Sequence, residues 1–180
     1  MQTDINNRTQ KLRAQFDLLW AIRTFFNQKH FLDVLTPPMV KNPGMETHIH
    51  PFQVAHAQTQ SLAPWYLQTS PEFHMKELLS LGFKDLFTIS YSFRDEPEAT
   101  NHRPQFLMLE WYRSGAHYTQ IMKDCEDLFS FCLNELREKK NTVDESLVNA
   151  KFERASIQEL FLEMLNIDIL DFLETKDLKE

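Results

Sequence analysis

The chain has 180 residues, of which 42% are apolar and 25% are charged, and its formal net charge is −7. These values are typical of a globular protein that buries a substantial core, and the length suits about one domain. A net negative charge argues against an extended basic surface that binds nucleic acid, although it is compatible with a local basic patch. The sequence shows neither a signal peptide nor an apolar stretch of membrane-spanning length, which favours a cytoplasmic location.

Apolar residues recur at helical spacing from about residue 7 to residue 29, which predicts an amphipathic helix. A short strand over residues 31–36 should follow and end at Pro37, because proline cannot donate to a strand ladder. Trp65 begins a second predicted strand. Ser70 is then expected to cap a helix that begins at Pro71. Taken alone, Glu72 is explained by the favourable position of an acid at a helix N-terminus.

Strict alternation of side chains predicts a β-hairpin from residues 86–96 and 105–112. One face is apolar and carries Phe87, Ile89, Tyr91 and Phe93. The other face, here called the platform, carries the hydroxyls of Thr88, Ser90 and Ser92 together with Arg94, Glu96, Phe106, Glu110 and Tyr112. Two interpretations stay open for the platform. It is either the solvated side of an antiparallel sheet or the floor of a pocket, since aromatic rings beside a carboxylate are typical of pocket walls.

The later part of the chain predicts a helix over residues 118–137, a polar linker at 139–147, a helix over 157–165 and an acidic end at 171–180. Residues 58–61 predict a hairpin loop. Cys125 and Cys132 lie about two helical turns apart, too far for a disulfide, and are interpreted as buried free thiols. His48 and His50 would share a strand face, but a zinc site needs three or four ligands, so no metal site is predicted.

Four segments, in this order, resemble the class II aminoacyl-tRNA synthetases. The helix, strand and proline at residues 13–37 are similar to motif 1, and FRDE at 93–96, followed by His102 and Phe106, looks like motif 2. The segments TSPEFHMK at 69–76 and FLMLEWYR at 106–113 resemble the lysyl-tRNA synthetase branch, in particular the short elongation factor P lysine ligases. The resemblance implies an α+β fold with an antiparallel sheet flanked by helices, as one partial domain over residues 1–180.

The resemblance also implies that the platform binds ATP and a lysine-like amino acid. Arg94 would be the catalytic residue, in contact with the α-phosphate and the amino-acid carboxylate. The other ATP contacts would be Glu96 to the adenine amino group, His102 near the γ-phosphate and Phe106 stacked on adenine. The amino acid would contact Ser70, Glu72, Glu110 and Tyr112. This fits the sequence, because Glu110 lies in an otherwise apolar strand and needs a cationic or hydrogen-bonding partner.

Parts of the family pattern are missing from these 180 residues. They lack the glycine-rich motif 3 with its second arginine, and they lack the later acidic residues that bind Mg²⁺ in the family. Pro97 and Gln105 replace acidic residues, and Arg103 replaces an asparagine. We therefore expect a fragment or truncated copy that is a poor catalyst on its own. Two alternatives stay open: a non-catalytic paralogue that dimerises with or regulates a full-length relative, and a module that binds adenine or lysine without chemistry.

The resemblance implies a homodimer formed through residues 13–37, and an acceptor that is either a tRNA or a lysine of elongation factor P. The first predicted helix starts near residue 7, with no anticodon-binding domain before it, which favours the protein acceptor.

Overall fold

The structure is a computed structural model, which describes residues 2–44, 46–55, 64–97, 100 and 102–173. The chain divides into two compact units, Met1–Val143 and Asp144–Glu180. The boundary between them falls within the predicted linker at 139–147. A single domain over the whole chain stays a prediction. The loop predicted at 58–61 and residues 174–180 of the acidic end lie outside the described residues.

The first unit has three helices and six strands among its described residues. In chain order they are α1 (Gln2–Gln28), β1 (Leu32–Asp33), β2 (Met39–Val40), β3 (Gln53–Val54), β4 (Trp65–Leu67), α2 (Glu72–Ser80), β5 (Leu86–Phe93), β6 (Gln105–Tyr112) and α3 (Tyr118–Glu138). One sheet has the order β1-β5-β6, and a second, antiparallel sheet has the order β2-β4-β3. The predicted α+β fold is confirmed. It differs in one respect, because β1 pairs parallel to β5.

The register of β5 and β6 places the predicted platform residues on one face. Residues opposite each other in an antiparallel pair share a face, and Thr88 lies opposite Glu110 while Ser92 lies opposite Phe106. However, β5 ends at Phe93, whereas the sequence predicted a strand through residue 96. The platform residues on the two strands therefore lie as predicted. Arg94 and Glu96 lie instead in the loop that follows β5.

The opposite face of the hairpin packs against α1. The rings of Phe26 and Phe87 are both fully buried and stack with their centroids 4.7 Å apart, and Trp111 lies 5.5 Å from Phe26. Burying such a ring contributes about 2–3 kcal/mol, so this cluster fixes the hairpin to the helix. The predicted apolar face is not buried along its full length, because Tyr91 is 51% exposed at the far end of the strand.

Helix α2 packs at the other side of the sheet, next to the platform. Its fully buried Met75 lies in a cluster with Val34 and Leu86, and Tyr112 packs against that cluster. The helix ends before Gly82, which has φ of 98°, and glycine adopts this left-handed conformation without strain. The contacts of Met75 and Ser70 place the start of α2 beside the start of β5 and the end of β6.

Helix α3 packs against α1 and ends one residue beyond its predicted limit. Cys132 is buried as predicted, but Cys125 is exposed, so the interpretation of both cysteines as buried thiols is wrong. The buried position next to Cys125 is taken by Asp124, whose side chain is fully buried. Asp124 can be buried because it forms an ion pair with Arg113, which directly follows β6.

The second unit contains α4 (Glu145–Val148), α5 (Ile157–Leu165) and a 3₁₀ helix (Ile169–Phe172). Helix α4 includes the last residues of the predicted linker. The side chain of Asp144 caps this helix by accepting a hydrogen bond from the Ser146 amide at 2.9 Å. Helix α5 has its predicted bounds, and Ser156 and Glu159 form a capping box at its start. Across the described residues, no helix is both long and apolar enough to cross a bilayer.

Candidate active site

The carboxylate of Glu110 lies at the centre of a hydrogen-bonded cluster on the platform. Ser70 Oγ donates to Glu110 Oε1 at 2.6 Å, and Tyr112 OH donates to Glu110 Oε2 at 3.1 Å. Residues 110 and 112 share a face because strand side chains alternate, and Ser70 lies just before α2. Within the described chain, no ion pair involves Glu110. Its two oxygens are held only by neutral donors.

Ser70 connects this cluster to α2. The helix begins at Glu72 with Pro71 at the capping position, one residue later than predicted. Ser70 Oγ nevertheless accepts a hydrogen bond from the Glu72 amide at 3.1 Å while it donates to Glu110. A hydroxyl that accepts from one group and donates to another has little rotational freedom. The sequence-predicted capping residue thereby fixes the rotamer of the central carboxylate.

Tyr112 is a hydrogen-bond donor at neutral pH. Burial raises the pKa of its phenol well above the usual value, and the charge and hydrogen bond of Glu110 and the charge of Glu72 raise it further. The charge of Glu72 thus acts on the phenol of Tyr112, although less than that of Glu110. Glu72 itself forms an ion pair with Lys76, one helical turn later, and both of these side chains are exposed. Ser70, Glu110 and Tyr112, three of the four predicted amino-acid ligands, are thus joined by hydrogen bonds. The fourth, Glu72, joins them because its amide donates to Ser70 Oγ.

Arg94 lies immediately after β5. Its Nε donates to the carbonyl oxygen of Thr69 at 3.3 Å, and its backbone amide donates to Pro104 O at 3.0 Å. Its guanidinium carbon lies 5.4 Å from the centroid of the Phe106 ring, a cation–π contact. The structure therefore brings the predicted catalytic arginine and the predicted adenine-stacking ring together. An adenine would have to use the opposite face of Phe106 or displace the guanidinium.

The remaining two predicted ATP ligands also lie side by side. His102 Nδ1 is 3.4 Å from Glu96 Oε2, and the histidine is the more exposed of the two. Both residues belong to the connection between β5 and β6 rather than to the strands.

The sequence did not predict a role for Gln68, which is almost fully buried at the junction of the two sheets. The side-chain Nε2 of Gln68 donates to the Tyr91 carbonyl at 2.8 Å, and the backbone carbonyl of Gln68 accepts from the Phe93 amide at 2.9 Å. A glutamine inside the apolar run at 65–69 was the signal that could have identified it. Gln68 holds the end of β5, and therefore the start of the arginine loop, against β4.

Three buried polar atoms at or near the platform have no hydrogen-bond partner within the described residues: Gln68 Oε1, Thr88 Oγ1 and Ser90 Oγ. Most buried polar groups in proteins are satisfied, so such a group needs a physical explanation. Thr88 and Ser90 lie on the same face as Glu110. Because these hydroxyl oxygens are buried, this part of the platform is not an ordinary solvated face.

Metal ligands do not converge in the described parts of the chain. No group of three or more His, Cys, Asp or Glu side chains there is arranged to hold an ion. His50 contributes its backbone carbonyl to the Asp95 amide, at 2.7 Å. We therefore assign Mg²⁺ to none of these residues.

The structure therefore has a hairpin with an arginine after its first strand and a carboxylate on its second, as the motif resemblance predicts. A family profile described as tRNA synthetases class II (D, K and N) matches residues 1–178. The chain belongs to this family, as the motifs predicted. The family uses ATP and Mg²⁺ in general.

Proteins named elongation factor P--(R)-beta-lysine ligase are similar to the chain. The protein from Vibrio campbellii is 31% identical over 178 residues, which are 93% of this chain and 54% of that protein. The protein from Vibrio vulnificus is 36% identical over 88% of this chain and 45% of its own length. The protein from Yersinia enterocolitica is 37% identical over 85% of this chain and 43% of its own length. The chain spans about half the length of the curated relatives it matches.

Proposed function

We propose that this chain forms the platform of a site that activates lysine, or a lysine-like amino acid, with ATP. The activated group would then pass to a lysine of elongation factor P, with a tRNA as the alternative acceptor. The names of the relatives support the protein acceptor. The observation that carries the proposal is the Glu110 carboxylate, which is held by Ser70 and Tyr112 without an ion pair among the described residues.

The environment of Glu110 suits a ligand ammonium group. A half-buried carboxylate is costly unless hydrogen bonds and opposite charge compensate it. The hydroxyls of Ser70 and Tyr112 satisfy part of its hydrogen-bonding capacity but leave its negative charge. Glu72 adds a second negative charge close to Tyr112. An ammonium group of the amino acid would neutralise this charge and donate up to three hydrogen bonds.

Arg94 is suited to the reacting end of the substrates. In the proposed reaction, an oxygen of the amino-acid carboxylate attacks the α-phosphorus of ATP, and the bond from that phosphorus to the pyrophosphate oxygen breaks. The products are an acyl-adenylate and pyrophosphate. The amine of the protein lysine, or the hydroxyl of a tRNA, then attacks the acyl carbon, loses its proton and displaces AMP. Arg94 would neutralise charge on both substrates through its planar fork. No side-chain base is required in the first step, since positioning provides most of the acceleration.

Binding measurements test this assignment. Calorimetry should show binding of lysine and of ATP to the purified chain, and norleucine, which lacks the side-chain ammonium, should bind at least about tenfold more weakly than lysine. Arg94→Ala should weaken ATP binding strongly, and Arg94→Lys should restore little of it because lysine cannot make a bidentate contact. Arg103→Ala, which removes an exposed arginine of the same loop, is the control. Failure of the wild-type chain to bind either ligand would exclude the proposal.

We further propose that catalysis by these 180 residues alone is weak. The chain spans about half the length of its curated relatives, and in the described part no side chains are arranged to hold the Mg²⁺ that accompanies ATP in this family. Lysine-dependent exchange of pyrophosphate into ATP should therefore be slow or undetectable, even where both ligands bind. Rapid exchange by the isolated polypeptide would contradict this expectation.

A homodimer through residues 13–37 is the proposed assembly. Large apolar side chains are exposed along this segment: Phe16 is 63% exposed, Trp20 49% and Leu35 94%. Such a row is unusual on a monomer surface and is typical of an interface. Analytical ultracentrifugation should show a dimer that Phe16→Glu together with Leu35→Glu converts to monomers. A dimer without ligand binding would instead favour the non-catalytic paralogue.

A further inference from the structure

A second cavity, distant in sequence from the platform, lies between α1 and the C-terminal end of α3. Its volume is about 520 Å³, which is in the range of small-ligand sites. Four of its ten lining residues are cationic, namely Lys11, Arg13, Lys139 and Lys140, and none is acidic. This composition is unexpected in a chain with 26 acidic and 19 basic residues. Cationic residues of α1 and of the segment that follows α3 therefore line the same cavity.

Part of this cavity is held rigid by neighbouring contacts. Lys139 Nζ lies 3.6 Å from the centroid of the Trp20 ring and 3.4 Å from Asp17 Oδ1. Asn141 Nδ2 donates to the other oxygen of Asp17 at 3.1 Å. Asp17 offsets one of the four positive charges, and the cavity wall keeps an excess of cations. Fixed charges around a concave space are the arrangement that recognises an anion with the least loss of side-chain entropy.

Lys140 occupies a backbone position that usually carries glycine. It follows α3 with φ of 61°, and the amides of Lys140 and Asn141 donate to Arg137 O and Leu136 O. This is a Schellman ending, in which the left-handed residue is most often glycine. A lysine there is strained by about 1 kcal/mol relative to glycine. Lys140 is one of the residues that line the cavity.

Helix electrostatics explain only half of this arrangement. Cations near a helix C-terminus interact favourably with its dipole, and this effect accounts for the two lysines that follow α3. It does not account for Lys11 and Arg13, which lie in the third and fourth turns of α1, away from either end. The effect of a helix dipole is confined to the first and last turns. Asp17, one turn after Arg13 on α1, accounts for part of the placement of Arg13, but Lys11 and the excess of cations around the cavity need another reason.

We propose that this cavity binds a small ligand that carries two or more phosphate groups, at a site separate from the platform. Phosphate groups match the chemistry present, because ammonium and guanidinium groups bind phosphate oxygens by charge-assisted hydrogen bonds. The volume favours a small polyphosphate over a nucleic-acid chain, which needs an open groove.

Calorimetry with inorganic tripolyphosphate tests the proposal on the purified 180-residue chain. We expect one-to-one binding that weakens as salt increases. The double variant Lys11→Gln, Arg13→Gln should weaken it by at least about tenfold. The control Arg8→Gln, Lys151→Gln removes the same amount of charge outside the cavity and should change affinity less than about twofold. Arg94→Ala should leave the binding intact, which separates this site from the proposed ATP site.

Lys140→Gly distinguishes loss of a ligand contact from loss of folding. Glycine suits the left-handed backbone, so the variant should unfold at the same or a higher temperature than the wild-type chain. Its affinity for tripolyphosphate should nevertheless be several-fold lower, because one cationic group is lost. The proposal would be overturned by no binding at millimolar tripolyphosphate, by equal binding by the Lys11, Arg13 double variant, or by equally tight binding of citrate. Binding of a short single-stranded RNA in place of tripolyphosphate would also overturn it.

Discussion

Two carboxylates on neighbouring parts of the first unit are compensated in opposite ways. Asp124 on α3 is fully buried, and Arg113 holds it through Nε and through Nη2, the latter at 3.0 Å from Oδ1. Glu110, three residues before that arginine, is half-buried and receives hydrogen bonds from two hydroxyls. The first carboxylate has its counter-charge within the protein. The second has hydrogen bonds but no counter-charge among the described residues.

The comparison distinguishes a structural ion pair from a candidate ligand site. Lys29 Nζ lies 3.7 Å from Asp124, and the Arg113 guanidinium lies 4.5 Å from the Phe31 ring, so this pair belongs to the packing of α1 against the sheet. Asp124 also raises the pKa of Arg113, chiefly by accepting its hydrogen bonds. Glu110 instead faces the orphan hydroxyls of the platform. Sequence alone does not separate the two roles, because Asp124 lies among charged residues of α3 and is nevertheless the fully buried one, whereas Glu110 lies in an apolar strand.

Removing the charge of Asp124 should have the largest effect, and the effect should be on stability. Asp124→Asn leaves the partly buried Arg113 with only the longer contact to Asp85, at 3.9 Å, and we expect the free energy of unfolding to fall by about 3 kcal/mol. Urea denaturation measures it. Asp127→Asn on the same helix is the matched control and should cost less than about 1 kcal/mol, because that side chain is partly exposed. Equal effects of the two variants would mean that Asp124 is not a special structural group.

Removing the charge of Glu110 should have the opposite profile. Glu110→Gln keeps the shape and a hydrogen-bond acceptor, so unfolding should change by less than about 1 kcal/mol. Lysine affinity should fall about 100-fold, because the ammonium loses its counter-charge. Calorimetry measures this affinity, with exposed Glu77→Gln on α2 as the control. A variant that loses stability and keeps lysine affinity would make Glu110 a second structural carboxylate.

The hydroxyl of Tyr112 should contribute less, since it is a neutral donor. Tyr112→Phe removes the hydrogen bond to Glu110 Oε2, and lysine affinity should fall about fivefold to tenfold. The raised pKa of Tyr112 also predicts a pH effect. Above about pH 10, the unfolded state ionises this phenol before the folded state does, so its contribution to stability is present below that pH and is lost as pH rises.

Urea denaturation between pH 8 and pH 11 measures this pH effect. The stability of the wild-type chain relative to Tyr112→Phe should be constant at the lower end and should fall above about pH 10, by up to about 1.4 kcal/mol per pH unit. Parallel pH profiles for the two proteins would contradict the interpretation of Tyr112 as a buried neutral donor.

The smallest effect is expected at the edge of the cluster, where Lys76 pairs with Glu72 on the surface of α2. Exposed ion pairs one turn apart contribute about 0.3–0.5 kcal/mol, so Lys76→Met should barely change the unfolding transition. It should tighten lysine binding by up to about threefold, since Glu72 becomes free to contact the ligand. Exposed Lys84→Met is the control. Weaker lysine binding by Lys76→Met would show that Lys76 supports the site instead of competing for Glu72.

Local patterns in the sequence determined the helices and the central hairpin. The periods of 3.6 and 2 residues gave α3 to within one residue, α5 with its bounds, and the two faces of β5 and β6. The motif resemblance gave the family, which the family profile confirms. These features depend on residues close together in the chain, so their side chains already carry the information.

Tertiary structure decided which polar groups meet. No local pattern shows that β1 pairs parallel to β5, that Cys125 is exposed while Asp124 is buried, or that Gln68 ties the two sheets together. These features depend on groups from distant segments, whose distances are set only when the aromatic core fixes α1 against the hairpin. For the same physical reason, the sequence predicted Ser70, Glu110 and Tyr112 as ligands, but only the fold joined them through one carboxylate.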